Sequence, residues 1–281
     1  MVISCLPAGK LGTHSAASVA SQMKSKFTSL RFTLMVGIGG GVPSPDADIR
    51  MGDVVISTPS NQHGGVIQYD FGKTGRDGGF QRTGSLDAPP TVLLNAISRL
   101  RSNQMTKQLK VQEYLSSFDT LSDFAHQGDD QDMLFQTTCS HCEGISCEYC
   151  SRDELVRRPR RESSQPLIFF GTIASGNQVM KDAVTRDRLS NELGGVLCFE
   201  MEAAGLMNIF PCLVIRGICD YADSHKNKRW QPYAAATAAA CAKEILSIIS
   251  TTEVIKAQAA PKVGWSKPGQ NPLHQLREYT S

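Results

Sequence analysis

VLCFEMEAAGLMNIFPCLVIRGICDYAD, residues Val196–Asp223, is the stretch from which the rest of the chain is read. Val196–Phe199 is a short apolar run of the kind that forms a buried strand, and it empties into Glu200-Met201-Glu202, which opens a short helix through Met207. After the break at Pro211, Cys212–Ile218 is a second apolar run of strand length, and it finishes on Asp220. Two acids are thus delivered to strand ends. In open α/β sheets ligands bind in the crevice beyond the carboxyl ends of the strands. One carboxylate there suits hydroxyl groups, and the other suits holding a proton.

Composition narrows the class. A chain of 281 residues is long enough for one large α/β domain with a tail, or for two small domains. Its 41% hydrophobic and 20% charged residues are those of an ordinary globular protein. A net charge of +2 argues against a nucleic-acid binder that works by bulk electrostatics, so an anionic ligand would have to be held locally. No segment reaches the roughly 18 uninterrupted apolar residues of a membrane helix, and Ala234–Ile249 is interrupted by Lys243 and Glu244. Met1–Gly9 lacks the basic start and long apolar run of a signal peptide. Nine cysteines, several inside apolar runs, fit reduced thiols, and a cytoplasmic protein without a membrane partner is expected.

Along the chain, Val2–Leu6 reads as a strand and Gly12–Phe27 as a helix opened by Thr13 or Ser15. Phe32–Val36 is the next buried strand, closed by Gly37-Ile38-Gly39-Gly40-Gly41. The glycines do not form a dinucleotide fingerprint, because Val42 stands where the third glycine is required and Pro43 and Pro45 forbid the following helix. Asp53–Ser57 and Gly65–Phe71 read as strands, Pro90–Leu100 and Thr106–Phe118 as helices, and about 118–166 as an irregular insertion. Leu167–Thr172 is a strand, followed by a helix over about Val179–Leu193 that Gly194-Gly195 stops, and an alanine-rich helix runs from Pro232 to Ile249. Residues 251–281 turn to Lys, Gln, Pro and Gly and read as a linker or tail, leaving 1–250 as the folded unit.

Four motifs in order carry a family resemblance. FEMEAAG (Phe199–Gly205) with RGICDYAD (Arg216–Asp223) resembles the paired signature of the purine nucleoside phosphorylase and methylthioadenosine/S-adenosylhomocysteine nucleosidase superfamily. IASGNQVM (Ile173–Met180) is similar to its base-binding loop, and MVGIGGGV (Met35–Val42) to its glycine turn. The variety of this domain in large multidomain fungal proteins is the nearest in pattern. The resemblance implies a three-layer α/β/α fold with a mixed central sheet, cleavage of a purine nucleoside at its N-glycosidic bond, a homo-oligomer, and no required cofactor. Set against the family order, Met1 falls at the second or third strand. The family's first strand, with the acid that activates water, is then expected to lie outside this chain.

Residue by residue, the resemblance makes Asp220 the acid that protonates the departing base; its other reading is a helix cap or an ion pair with Arg216. Glu202 would accept hydrogen bonds from two ribose hydroxyls and Met201 would pack on the sugar. The bland reading makes Glu202 a charge favoured by a helix dipole and Met201 core. Ser175, Gly176, Asn177 and Val179 would line the base, and Gly37, Gly39 and Gly40 would let backbone approach the ligand. Asn177 replaces the family's acid and Val179 its aromatic, which bears on base selectivity. Phosphorylases carry an arginine directly before the acid at Asp53, whereas this chain has Gly52, with Arg50 two residues earlier; hydrolysis is favoured over phosphorolysis on that ground. The alternative is a nucleoside-binding sensor without turnover, tethered to further domains.

Cys139-x2-Cys142-x4-Cys147-x2-Cys150, with His141 inside it, offers ligands for a structural zinc ion that would pin the insertion, although the central gap is shorter than usual. Free thiols in a loop are the alternative. The nearby run Arg157–Arg161 reads as a solvated basic face.

Overall fold

Alternation along the buried strands sends successive side chains to two different cores. In β8 (Cys212–Asp220), Leu213 and Ile215 join one apolar cluster while Cys212, Val214 and Ile218 join another. In β2 (Val54–Ser57), Val54 and Ile56 face the first cluster and Val55 the second. The structure is a computed structural model that describes residues 1–60, 62–76, 78–142 and 147–257. Helices α2 (Thr91–Met105), α3 (Val111–Leu115) and α5 (Trp230–Ile248) cover the first cluster through Leu93, Ile97, Leu100, Val111 and Ile245. Helix α1 (Thr13–Lys26) covers the second through Ala16 and Ala20. A mixed sheet between two helical layers follows.

The sheet runs β2-β8-β1-β7-β6-β3, with β1 Thr33–Gly41, β3 Val66–Gln68, β6 Ile168–Ser175 and β7 Val196–Glu200. Strand β2 also pairs with β6, so five strands close on themselves and β3 hangs from β6. Two parallel pairs, β1 with β8 and β6 with β7, run in opposite directions. They meet only where Gly40 and Gly41 of β1 lie opposite Phe199 and Cys198 of β7. The carboxyl ends of both pairs therefore overlap at one place. A small exposed hairpin, β4 (Gly72–Thr74) and β5 (Phe80–Arg82), lies apart from the sheet.

Several elements differ from their sequence reading. Val2–Leu6 is not a strand: Ile3 is exposed, and a strand exists only where an edge offers it a ladder. The glycines after Phe32–Val36 do not close that strand but extend it to Gly41. The strand expected over Gly65–Phe71 shrinks to Val66–Gln68. The helix expected over Thr106–Phe118 contracts to Val111–Leu115 with one 3-10 turn after it. Glu200–Met207 yields only a 3-10 turn at Ala203–Gly205. Helix α4 (Ala183–Glu192) starts later than expected because Asp182 caps it, its carboxylate accepting from Thr185 N at 2.9 Å. Beyond Ile249 the chain makes one more short helix, α6 (Thr251–Lys256), opened by a Ser250/Glu253 capping box. The insertion holds 3-10 turns and one bridge between Phe135 and Leu155.

Helix α5 rides directly on β8. A Cβ at Gly217 would stand 1.8 Å from the carbonyl oxygen of Ala234, which is backbone and cannot rotate away. Gly217→Ala is therefore expected to lower the unfolding free energy by at least about 1–3 kcal/mol. Gly171→Ala should cost clearly less, because its Cβ meets the end of the Leu197 side chain at 2.6 Å and that side chain can turn. Urea unfolding of the two variants checks the ranking; equal losses would contradict the close approach of α5.

Candidate active site

The sheet geometry puts all four motifs at one spot. Ser175, the last residue of β6, pairs with Glu200, the last of β7, so the loop Ser175–Val179 departs beside the first acidic motif. Asp220, the last residue of β8, is opposite Gly40 of β1, and Gly40 is itself opposite Phe199. β7 and β8 are not neighbours, since β1 lies between them. Two strand spacings set the acids about 10 Å apart, a separation that a sugar and a base together can bridge.

Arg216 organises the first half. It is buried in the middle of β8, and its Nη2 donates to Glu200 Oε2 in a very short contact and to Glu202 Oε2 at 3.4 Å. Its expected partner Asp220 is not among these contacts. Burial disfavours the guanidinium's charge, but Glu200 and Glu202 more than offset it and hold its pKa above the ordinary value. Glu200 also accepts from the backbone N–H of Glu202 at 3.1 Å and of Ala203 at 3.0 Å, which fixes the turn that presents Glu202. Glu200 is thus the structural acid of the pair. Glu202 is held lightly, by Arg216 on one oxygen and by Gly12 N on the other, each at 3.4 Å. Bonds at that length are readily exchanged for bonds to a ligand's hydroxyls.

Asp220 organises the second half. Its Oδ1 accepts from Ala222 N at 2.8 Å and from Lys226 Nζ at 2.8 Å. Lys226 was not singled out from the sequence; six positions after Asp220 in the polar loop SHKNKRW, it has no periodicity to mark it. Cys219 points its thiol at Asp220 Oδ2, 3.5 Å away. Burial first, and then that carboxylate, push the thiol's pKa well above its usual value, so it is no nucleophile.

The glycines also answer a demand of the fold itself. A Cβ on Gly37 would sit 2.2 Å from Arg216 Nη1, and one on Gly40 would sit 2.7 Å from Asp220 Oδ1. One on Gly39 would sit 2.5 Å from Cys198 Sγ. They make room for the protein's own charged groups beneath the site.

The loop after β6 is tied on both sides. Ser175 Oγ accepts from Ala204 N at 2.9 Å, and Gly176 N donates to Glu200 O at 3.2 Å. Asn177 N donates to Asp70 Oδ2 at 2.6 Å, while its Oδ1 accepts from Thr13 N and Thr13 Oγ1 at 3.1 and 2.9 Å. The start of α1 thus spans Glu202 and Asn177, a contact over more than 160 positions that no local pattern announces. Tyr69 packs edge-to-face on Phe199 at 5.5 Å and donates to Gln178 O at 3.0 Å. Met201 is half-buried, and Val179 is exposed. A separate cleft of about 370 Å³ opens between Pro43, Asp48, Leu134, Val156, Arg158 and Arg186, and neither Glu202 nor Asp220 is in its wall.

Position 52 has a structural reason to be glycine. Its φ is +88°, and a Cβ there would meet the Tyr233 ring at 2.4 Å. Arg50 is engaged elsewhere, its Nε and Nη2 donating to Asp48 Oδ2 at 2.9 and 2.7 Å. Arg157–Arg161 is not a uniformly solvated face: Arg161 grips Asp53 with two bonds of 2.7 Å, and Arg158 reaches Asp132 at 3.0 Å. Of the cysteines, His141, Cys147 and Cys150 converge, whereas the Cys139 thiol lies 3.9 Å from His225 Nε2.

With this geometry in view, comparison with known proteins is decisive. The profile of the Phosphorylase superfamily matches residues 2–251. The chain belongs to that superfamily. It is 50% identical over 258 residues to a nucleotide-binding leucine-rich repeat (NLR)-like protein of Hyaloscypha variabilis, covering 89% of this chain and 25% of that protein. It is 34% identical over 90 residues to the 5'-methylthioadenosine/S-adenosylhomocysteine nucleosidase of Mycobacterium bovis, covering 30% of this chain and 35% of the relative. The match therefore spans 25% and 35% of the length of these relatives. The nucleosidase of that name from Helicobacter pylori, solved with butyl-thio-DADMe-Immucillin-A, superposes with a TM-score of 0.53 at 16% identity, over 85% of this chain and 77% of the other. The superfamily chain thus shares its mixed α/β sheet with nucleosidases, and among its described residues no helix is long and apolar enough to cross a membrane.

Removing Arg216 would strand a buried carboxylate. Arg216→Met is expected to destabilise the superfamily fold by about 3–5 kcal/mol, and adding Glu200→Gln should restore a large part of that loss. Denaturant unfolding of the single and double variants measures it; strictly additive losses would show that the pair does not interact.

Proposed function

We propose that this chain cleaves the N-glycosidic bond of a purine nucleoside, with water rather than phosphate as the acceptor. The observation that carries the reading is the register at Gly40, which brings Phe199 of β7 and Asp220 of β8 to the two sides of one strand end. Glu202, held lightly at two 3.4 Å contacts, would exchange them for the sugar's hydroxyls. The loop Ser175–Val179 would receive the base.

In the reaction the bond from C1 of the sugar to the base breaks and its electron pair leaves with the base. Positive charge builds on the sugar ring, and Asp220 supplies a proton to the base nitrogen. Lys226, 2.8 Å away, stabilises the carboxylate that the transfer leaves behind. Water adds to C1 and releases its own proton to solvent. The favouring of hydrolysis is supported by position 52, where backbone φ and the Tyr233 ring forbid an arginine, and by the engagement of Arg50 with Asp48.

A second reading is a nucleoside sensor within a larger protein. It is favoured by the 50% identity to an NLR-like protein of which this chain spans a quarter, and by the protein groups that already hold Glu202 and Asp220. Tethering to further domains and self-association belong to this proposal.

Free base released from adenosine, inosine, 5'-methylthioadenosine and ATP, with and without phosphate, separates the readings. Phosphate-independent release that falls about 100- to 10,000-fold in Asp220→Asn, and less in Lys226→Met, is the expected result. Release that requires phosphate would overturn the choice of water. No release, with calorimetric nucleoside binding that Glu202→Ala abolishes, would establish the sensor.

A further inference from the structure

Within the insertion, Phe135 and Leu155 form an isolated antiparallel bridge. Gln136 N donates to Glu154 O and Val156 N to Leu134 O, each at 2.8 Å, so the mouth of the excursion is stitched shut. Above the stitch the described residues form two 3-10 turns, Cys147–Tyr149 and Arg152–Glu154. Buried apolar surface there comes from Phe135 and Cys150, while Tyr149 is exposed. An excursion with so little core is the situation in which small folds use a metal crosslink.

The ligand atoms for such a crosslink are already gathered. One ligand atom each of His141, Cys147 and Cys150 lie within 4.8 Å of one another. The turn at Cys147, in which Cys150 N donates to Cys147 O at 3.2 Å, puts both sulfurs on one side. Cys142 follows His141 directly in the chain and its thiol interacts with that of Cys150, although it is not one of the three clustered ligand atoms. Ligand atoms around a tetrahedral zinc stand about 3.5–3.8 Å apart, so closure asks the three clustered atoms for movements of about 1 Å and recruits Cys142 as the fourth.

We propose that Cys142, Cys147, Cys150 and His141 bind one zinc ion. Three thiols give up their protons on binding and the imidazole ligates through a neutral nitrogen, which leaves a site of net charge −1. Cys139 is outside the set; its thiol faces His225 Nε2 at 3.9 Å.

The site has a second consequence. His141 N donates to Ser224 Oγ at 2.9 Å, and Phe135 stacks on His225 with ring centroids 4.0 Å apart. Residues 224 and 225 directly precede Lys226, which bonds Asp220. The metal clip would therefore brace the loop that carries Lys226, as a positioning device and not as part of the chemistry.

Metal analysis of the full chain, purified under reducing conditions, tests the proposal. One zinc per chain is expected, with replacement by cobalt(II) giving the visible bands of a tetrahedral site and near-ultraviolet thiolate charge transfer. Cys147→Ser, Cys150→Ser and Cys142→Ser should lose the metal, and Cys139→Ser should retain it. A zinc-free protein with unchanged folding on chelation would overturn the site, and loss in Cys139→Ser with retention in Cys142→Ser would overturn the ligand set. Because zinc content is read without any nucleoside, failure of the proposed activity leaves this result standing. The bracing is read separately, as faster tryptic cleavage in the insertion and weaker nucleoside binding after chelation; neither changing would confine the metal to the insertion itself.

Discussion

A single buried guanidinium sets the terms for the functional end of this molecule. Arg216 lies in the fully buried strand β8 and can be charged there only because Glu200 and Glu202 share it. A lone charge in that position would cost several kcal/mol. One positive and two negative groups leave an excess negative charge, and it falls on the acid that has the fewest other bonds. That acid is Glu202, since Glu200 has backbone N–H partners as well. The ion triad therefore does two things at once: it fixes the turn after β7 and leaves one carboxylate ready for hydroxyl donors. Gly37 belongs to the same device, because any side chain there would displace Arg216.

The topology turns this local device into a site. Two parallel strand pairs of opposite direction overlap for two residues, and at that overlap the ends of β1, β7 and β8 come together. Parallel strands share one carboxyl edge, whereas two antiparallel pairs laid fully alongside each other would send their terminal acids to opposite edges. Here the antiparallel junction at Gly40 and Gly41 collects them. The loop Ser175–Val179 joins by the pairing of Ser175 with Glu200, so a further motif arrives by the same ladder logic.

What was legible in the sequence is what local physics controls. Buried strands such as Cys212–Asp220 and Val54–Ser57 are apolar runs, and α1, α2 and α5 are helix-length segments whose starts are legible to within two residues. The two acids were found because they end such runs. Pairing was not legible. Val2–Leu6 has the composition of a strand and no ladder, while Gly37–Gly41 has the composition of a turn and is strand, because β8 and β7 flank it on both sides. The partners Gly12 and Thr13 leave no sign in the sequence for the same reason: a polar atom's partner across 190 positions leaves no trace in periodicity. Arg158 and Arg161 show the converse error, since a basic run looks solvated until Asp132 and Asp53 are found beside it.

The insertion is connected to the site by contacts as definite as those in the sheet. Arg161 closes on Asp53 at the start of β2, Arg158 on Asp132, and Tyr221, directly after Asp220, donates to Asp132 in a very short bond. Arg158 Nη1 in turn donates to that tyrosine oxygen at 3.0 Å. Asp132 thus couples the insertion, through its basic run, to the residue next to the candidate acid. Such a network is rigid only while all its members are in place, because each buried group relies on the others for its hydrogen bonds. A group that gripped the insertion would therefore act next to Asp220 through Asp132 and Tyr221, without touching the carboxylate itself.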